Sequence, residues 1–271
     1  MTQRSRTAWT FVITSLALFM GSLDNLVVTT ALPVIRRELH ANLSQLEWTI
    51  NAYTLTFAVL LLTGAALGDR FGRRRIFALG LLTFTLGSAA AALAPSPTAL
   101  IAARAVQGAG AAAMLPLTLT LLSAAVRPER RGLALGAWGG IGGLAIAVGP
   151  IVGGAVVQGI SWQWIFWLNV PIGLLLLPLA RLRLTESRGS DRRLDITGLV
   201  LASAGLFGIV GAWCGRTRRA GAVRRSSAPS PAVAWCCWAS SRTSGGGQAR
   251  RCCRCASSAA GPSAAPTPRP C

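Results

Sequence analysis

Between residues 9 and 213 the chain is a succession of long apolar runs joined by short arginine-bearing links. A hydrocarbon core about 30 Å thick takes roughly 20 apolar residues per helix. Seven runs meet that need: 9–32, 48–68, 76–94, 98–122, 133–157, 164–180 and 196–213. The sixth is short unless it extends into its flanks. In lipid every backbone polar group has to be satisfied internally, so runs of this length point to spanning helices. The expected fold class is therefore all-α, a polytopic membrane helix bundle. Hydrophobic residues make up 52% of the chain and charged residues only 13%, against about a quarter in soluble domains. Too few polar side chains remain to cover a water-facing surface, which argues against a soluble enzyme.

All 27 basic residues are arginine, and with 8 acids they give a net charge of +19. Their placement in clusters between apolar runs speaks for membrane topology and against nucleic acid as a partner. With the N-terminus in the cytoplasm, the inner side holds Arg4, Arg6, Arg70, Arg73, Arg74, Arg75, Arg127, Arg130, Arg131, Arg181, Arg183, Arg188, Arg192 and Arg193, and the outer side only Arg36 and Arg37. That asymmetry follows the positive-inside rule and orients the bundle in the cell membrane. Trp9, Trp48, Trp162, Trp164 and Trp213 fall near span ends, as interfacial anchors do. Arg4 and Arg6 before an apolar run resemble a signal peptide, but the further spans and the lack of a small-residue cleavage site favour a first helix or signal anchor.

Three regions follow: a six-helix bundle over 1–193, a seventh helix over 194–213, and a tail over 214–271. The tail holds all seven cysteines, ten arginines, six prolines and no acid. Such a segment has little to bury and is expected to be disordered. An odd seventh span also places its arginines outside, against the bias everywhere else. A frameshift in a GC-rich reading frame would produce this composition, and resequencing the coding DNA tests it. Cys252, Cys253 and Cys255 invite a zinc reading, but the only histidine, His40, is far away in the sequence, so no metal is expected. No phosphate-binding glycine loop or nucleophile–base pair stands out, and no cofactor is implied.

Two charges fall inside apolar runs. Asp24 lies in the first, flanked only by the polar Asn25. A carboxyl in apolar surroundings has its charged form disfavoured, which suits it either to exchange protons or to lock helices as a hydrogen-bonded neutral acid. Arg104 lies in the fourth run, where insertion costs roughly 2.5–3.5 kcal/mol, so it should face a polar interior. Packing there, hydrogen-bonded to neighbouring carbonyls, would meet that need.

Four ordered strings carry a family resemblance. The link after the second run reads Asp69, Arg70, Phe71, Gly72, Arg73, Arg74, Arg75; Gly72 permits a tight turn and Asp69 can pair with an arginine. Arg104 is followed by Gln107, Gly108 and Gly110, and the fifth run contains Gly149, Pro150, Gly153 and Gly154. The first run carries Leu23, Asp24 and Asn25 ahead of Ala31, Leu32 and Pro33, and a matching stretch, Trp162 to Gly173, enters the sixth. Together they resemble the major facilitator superfamily, in its fourteen-helix drug:proton antiporter branch. The likeness covers about residues 8–213. Ala65 and Ala145 stand where that family has glycine, and Gln163 where it has arginine.

The resemblance implies the N-terminal bundle of a carrier that exchanges small amphipathic or cationic compounds for protons by alternating access. It assigns Asp24, Asn25, Arg104 and Gln107 to proton coupling and the substrate cavity. Asp69, Arg70, Gly72, Arg73 and Arg74 become a cytoplasmic latch, and Gly149, Pro150, Gly153 and Gly154 a closely packed cavity helix. The implied partners are a small-molecule substrate, protons and membrane lipid. One bundle supplies one wall of such a cavity, so this chain by itself is expected not to transport. A membrane-embedded enzyme lacks the clustered ligands it needs. A seven-helix receptor or sensor matches the span count but explains none of the ordered strings.

Overall fold

The computed structural model describes residues 3–188, all joined by helices, turns and short links with no strand among them. The expected seventh span and the tail lie outside the described residues. Five long helices come first: α1 (Gln3–Glu38), α2 (Leu43–Phe71), α3 (Arg73–Ala92), α4 (Pro97–Ala125) and α5 (Arg131–Gly159). A short α6 (Trp164–Trp167) leads through Leu168 into α7 (Asn169–Arg183). Six spans are long and apolar enough to cross a membrane, the sixth being Trp164–Arg183. It reaches spanning length because α7 runs on to Arg183, beyond the apolar run that ends at 180.

The helices begin where local chemistry lets them. Asn42 and Gln45 form a reciprocal capping box at the start of α2, with bonds of 2.8 and 2.9 Å. Ser96 accepts from the Ala99 amide ahead of α4, and Pro97 occupies the first turn. Several threonines inside the spans satisfy their hydroxyls within their own helix. Thr14, Thr49 and Thr85 donate to carbonyls four residues back in their own helices.

The central helix is α4, packed along α2 and α3 and also against α1; α1 lies along α5, and α7 against α3. Glycine makes the α4 crossings close. A Cβ at Gly110 would meet the Phe84 amide nitrogen at 2.5 Å and the Gly80 carbonyl oxygen at 2.8 Å. Large apolar side chains point outward, among them Leu79, Leu86, Ile151, Leu174 and Leu175. The interior contains Asp24, Arg104, Gln107 and Asn169. Apolar outside and polar within suits a bundle bathed in lipid.

Two apolar clusters fill the interior. One holds Val27, Ile35, Leu46, Ala91, Leu100, Ala103 and Phe166. The other holds Met20, Tyr53, Phe77, Phe84, Ala111, Met114 and Leu176. Along α3 and α4, and from α6 into α7, the chain passes from one cluster to the other through a polar residue, and in α1 Asp24 stands at their border.

Contacts at one end join the arginine-bearing links. The Thr7 hydroxyl donates to the Ala125 carbonyl at 2.9 Å, Arg183 lies over the Trp9 ring, and the Arg74 guanidinium reaches the Leu184 carbonyl at 3.3 Å. The opposite end holds Trp162, which is only 1% exposed and donates its indole N–H to Glu38 at 2.8 Å. Trp162 is thus a buried strut between α1 and the entry to α6 rather than an interfacial anchor. Its edge-on contact with Phe166 completes the packing.

Candidate functional site

The residues between the two apolar clusters form one hydrogen-bonded layer. Asp24 on α1 and Arg104 on α4 are 1% and 0% exposed. Arg104 Nη1 donates to Asp24 Oδ2 at 2.5 Å and to Gln107 Oε1 at 2.9 Å. The second carboxylate oxygen, Oδ1, accepts from Asn169 Nδ2 at 2.7 Å and from Gln107 Nε2 at 3.2 Å. Ser88 on α3 accepts from both amides, at 2.6 and 3.3 Å. Four helices therefore meet through a single carboxylate and its partners.

Arg104 and Gln107 share a face of α4 because residues three apart on a helix are neighbours. The guanidinium lies 4.3 Å from the Tyr53 ring centroid and 5.9 Å from that of Phe166. The ring faces help stabilise a charge that is 0% exposed. Its Nε and Nη2 have no hydrogen-bond partner. A buried ion pair with spare donors is costly to assemble and ready to take another acceptor.

The neighbouring Asn25 is exposed and takes no part in this layer. Successive helical residues turn by about 100°, so Asp24 inside places Asn25 outside. Sequence reasoning missed Ser88 and Tyr53 altogether and gave Asn169 no role. Asn169 lies in the stretch Trp162 to Gly173, and its amide in an otherwise apolar span was a usable signal.

At the arginine-rich end the α2–α3 link closes on the end of α7. Asp69 pairs with Arg73 at 2.7 Å. Glu186, which the sequence did not single out, accepts from the Arg74 amide at 3.0 Å and lies 3.6 and 3.7 Å from the Arg74 and Arg75 guanidiniums. It caps a helix whose N-cap residue, Gly72, has no side chain. Arg73 N donates to the Ser187 carbonyl at 2.9 Å. Arg70 is exposed and stacks on Phe71.

Gly72 has φ 112°, and a Cβ there would stand 2.7 Å from Glu186 Oε1. Gly72→Ala is expected to lower stability by about 1–3 kcal/mol, read as a lowered unfolding midpoint in detergent. Adding Glu186→Ala removes the steric conflict and the cap but leaves the backbone strain. The double variant should therefore stay below the parent.

The glycine string of α5 divides between two faces. Gly142, Ala145, Gly149 and Gly153 are the buried positions of this helix. A Cβ at Gly149 would meet Leu26 Cβ at 2.9 Å, and one at Gly153 would fall on the Thr30 hydroxyl. Pro150 is exposed, and Gly154 has nothing within 4 Å of a built Cβ. Small residues let α5 lie against α1 beside Asp24, as in close-packed membrane helices. No group of three or more His, Cys, Asp or Glu that could hold a metal ion occurs among the described residues.

The Major Facilitator Superfamily model matches residues 14–245. The tetracenomycin C resistance and export protein of Streptomyces glaucescens is 38% identical over 209 residues, covering 76% of this chain and 39% of that protein. The puromycin resistance protein pur8 of Streptomyces alboniger is 41% identical, covering 74% and 41%. The cephamycin export protein CmcT of Amycolatopsis lactamdurans is 42% identical, covering 76% and 43%. The chain thus spans about two fifths of the length of these relatives.

Proposed function

This chain belongs to the Major Facilitator Superfamily, and we propose that it supplies the proton-handling bundle of a drug-efflux antiporter. The family and the relatives' names place it among membrane transporters rather than enzymes. The observation that carries the coupling role is the layer around Asp24. A proton reaching Asp24 neutralises the carboxylate and releases Arg104 from its ion pair. The guanidinium, with Nε and Nη2 already unpartnered, then has to find another acceptor or move. A cationic substrate competes with the proton for the same carboxylate, which turns occupancy into exchange.

In this reading Gln107 and Asn169 transmit the change, since they bond to Asp24 and to Ser88 together. In the same reading the arginine-rich end faces the cytoplasm, which the charge bias supports. Asp69, Arg73 and Arg74 hold the α2–α3 turn in shape, while the exposed Arg70 latches a second bundle. Gly149 and Gly153 keep α5 close to α1 near Asp24; Pro150 and Gly154 face outward toward that second bundle. Small amphipathic or cationic compounds are the proposed substrates, consistent with the drug-resistance and export names of the relatives.

The test uses a chimera in which residues 1–188 replace the matching segment of the tetracenomycin C exporter. In everted vesicles a pH gradient should drive uptake of tetracenomycin C. Asp24→Asn should reduce that uptake to background without lowering the amount of protein. Gradient-driven uptake undiminished in Asp24→Asn would contradict the proposal. The 271-residue chain alone, in the same vesicles, is expected to give no flux.

A further inference from the structure

At the arginine-rich end, α1 and α5 part to leave a wedge that the transport reading does not use. The two helices touch closely along Gly142, Gly149 and Gly153, while toward the Arg127 end a cavity opens that both of them line. The resulting cavity has a volume of about 550 Å³, inside the roughly 300–1,000 Å³ range of small-molecule sites. Phe11 and Val12 from α1 and Leu133 and Ala137 from α5 give it apolar walls, and Arg127 and Arg130 stand at its rim. Leu133 is 81% exposed and Val12 46%, so the walls lack a cover from this bundle. Both arginines are exposed, and among the described residues neither pairs with an acid. Glu129 between them is the one acid of the link, and a net positive rim remains.

We propose that this wedge holds one anionic phospholipid of the adjoining leaflet. Its phosphate lies between Arg127 and Arg130, and the upper part of an acyl chain runs along Phe11, Val12 and Leu133. Basic pockets between spanning helices at a membrane surface have the right charge for such headgroups. A free phosphate would satisfy the rim and leave the walls bare. A zwitterionic lipid would bring its own cation against two guanidiniums. An added apolar helix without an acid at its end would cover the walls but leave the two charges uncompensated. Only an amphiphile with a net negative head matches both halves of the wedge.

The experiment is native mass spectrometry of the purified 271-residue chain taken from phosphatidylcholine vesicles containing phosphatidylglycerol. The parent should retain phosphatidylglycerol over phosphatidylcholine by roughly 10- to 30-fold, the worth of two arginines beside an anionic headgroup. Arg127→Gln/Arg130→Gln should lose that preference. Ala137→Trp, which fills the wedge from an exposed position and keeps both charges, should lose it as well. Arg36→Gln/Arg37→Gln at the other end should keep it. Circular dichroism on each variant establishes that the helices are intact.

An unchanged preference in the arginine double variant would overturn the proposal. Retention in Ala137→Trp would also overturn it, since general attraction to the arginine-rich end would then suffice. So would displacement of the lipid by inorganic phosphate alone, which would mark an anion site with no lipid specificity.

Discussion

Replacing Arg104 by leucine is expected to cost about 3–5 kcal/mol of stability, among the largest effects of any single change in the bundle. The variant leaves the Asp24 carboxylate 1% exposed with its ionic partner gone, and an uncompensated buried charge is what makes such breaks expensive. Gln107 also loses the donor to its carbonyl oxygen. The double variant Asp24→Leu/Arg104→Leu removes both charges and should recover most of the loss, because a buried pair exchanged for apolar side chains is often neutral. Unfolding midpoints of the parent, Asp24→Leu, Arg104→Leu and the double variant in one detergent measure this as a double-mutant cycle. A double variant as damaged as Arg104→Leu would mean that the layer is needed for shape rather than for charge balance.

The second large effect is expected at the helix crossings. Gly110→Leu drives a side chain into the Phe84 backbone and the Gly80 carbonyl, and backbone cannot give way as a flexible side chain can. The cost should reach about 3 kcal/mol or more, the upper end for overpacking. Gly139→Leu and Gly154→Leu, where a Cβ meets nothing within 4 Å, should fall within about 0.5 kcal/mol of the parent. Thermal midpoints and yields of folded protein separate the two classes. Equal losses at Gly110 and Gly139 would show that glycine matters here for the backbone alone.

The spans were legible because the apolar runs have membrane length, yet most boundaries drawn from hydropathy fell short of the helix ends. α1 occupies Gln3–Glu38 where the run covers 9–32, since a helix does not stop where its surroundings turn polar. Its end at Glu38 is set by the turn at His40, which has φ 49°. Asp24 and Arg104 could be singled out because a charge inside an apolar run demands a partner. That each is the other's partner depends on which faces of α1 and α4 meet, and periodicity in two nearly all-apolar helices does not fix a face. The same limit hid Ser88, which sits among alanines and glycines in α3, and Tyr53, which read as one more apolar position in α2.

Glu186 illustrates a different blind spot. In the sequence it lies in a polar stretch after the last described helix, 112 positions from Arg74, whose amide it accepts. Only the antiparallel return of α7 along α3 brings it back to the Gly72 turn. The glycine string of α5 was legible as a motif but not as a division of labour. Gly149 and Gly153, four residues apart, share the face toward α1; Pro150 and Gly154 are rotated off it.

The claim on which the account rests is that Asp24, enclosed between two apolar clusters, exchanges a proton reversibly. Infrared difference spectroscopy of the 271-residue chain in lipid vesicles reads this directly as a carboxyl band that appears on acidification and vanishes on return. The account predicts such a band in the parent, absent in Asp24→Asn and altered in frequency in Asn169→Ala, which removes a donor to Asp24 Oδ1. A difference spectrum identical in the parent and in Asp24→Asn would contradict it.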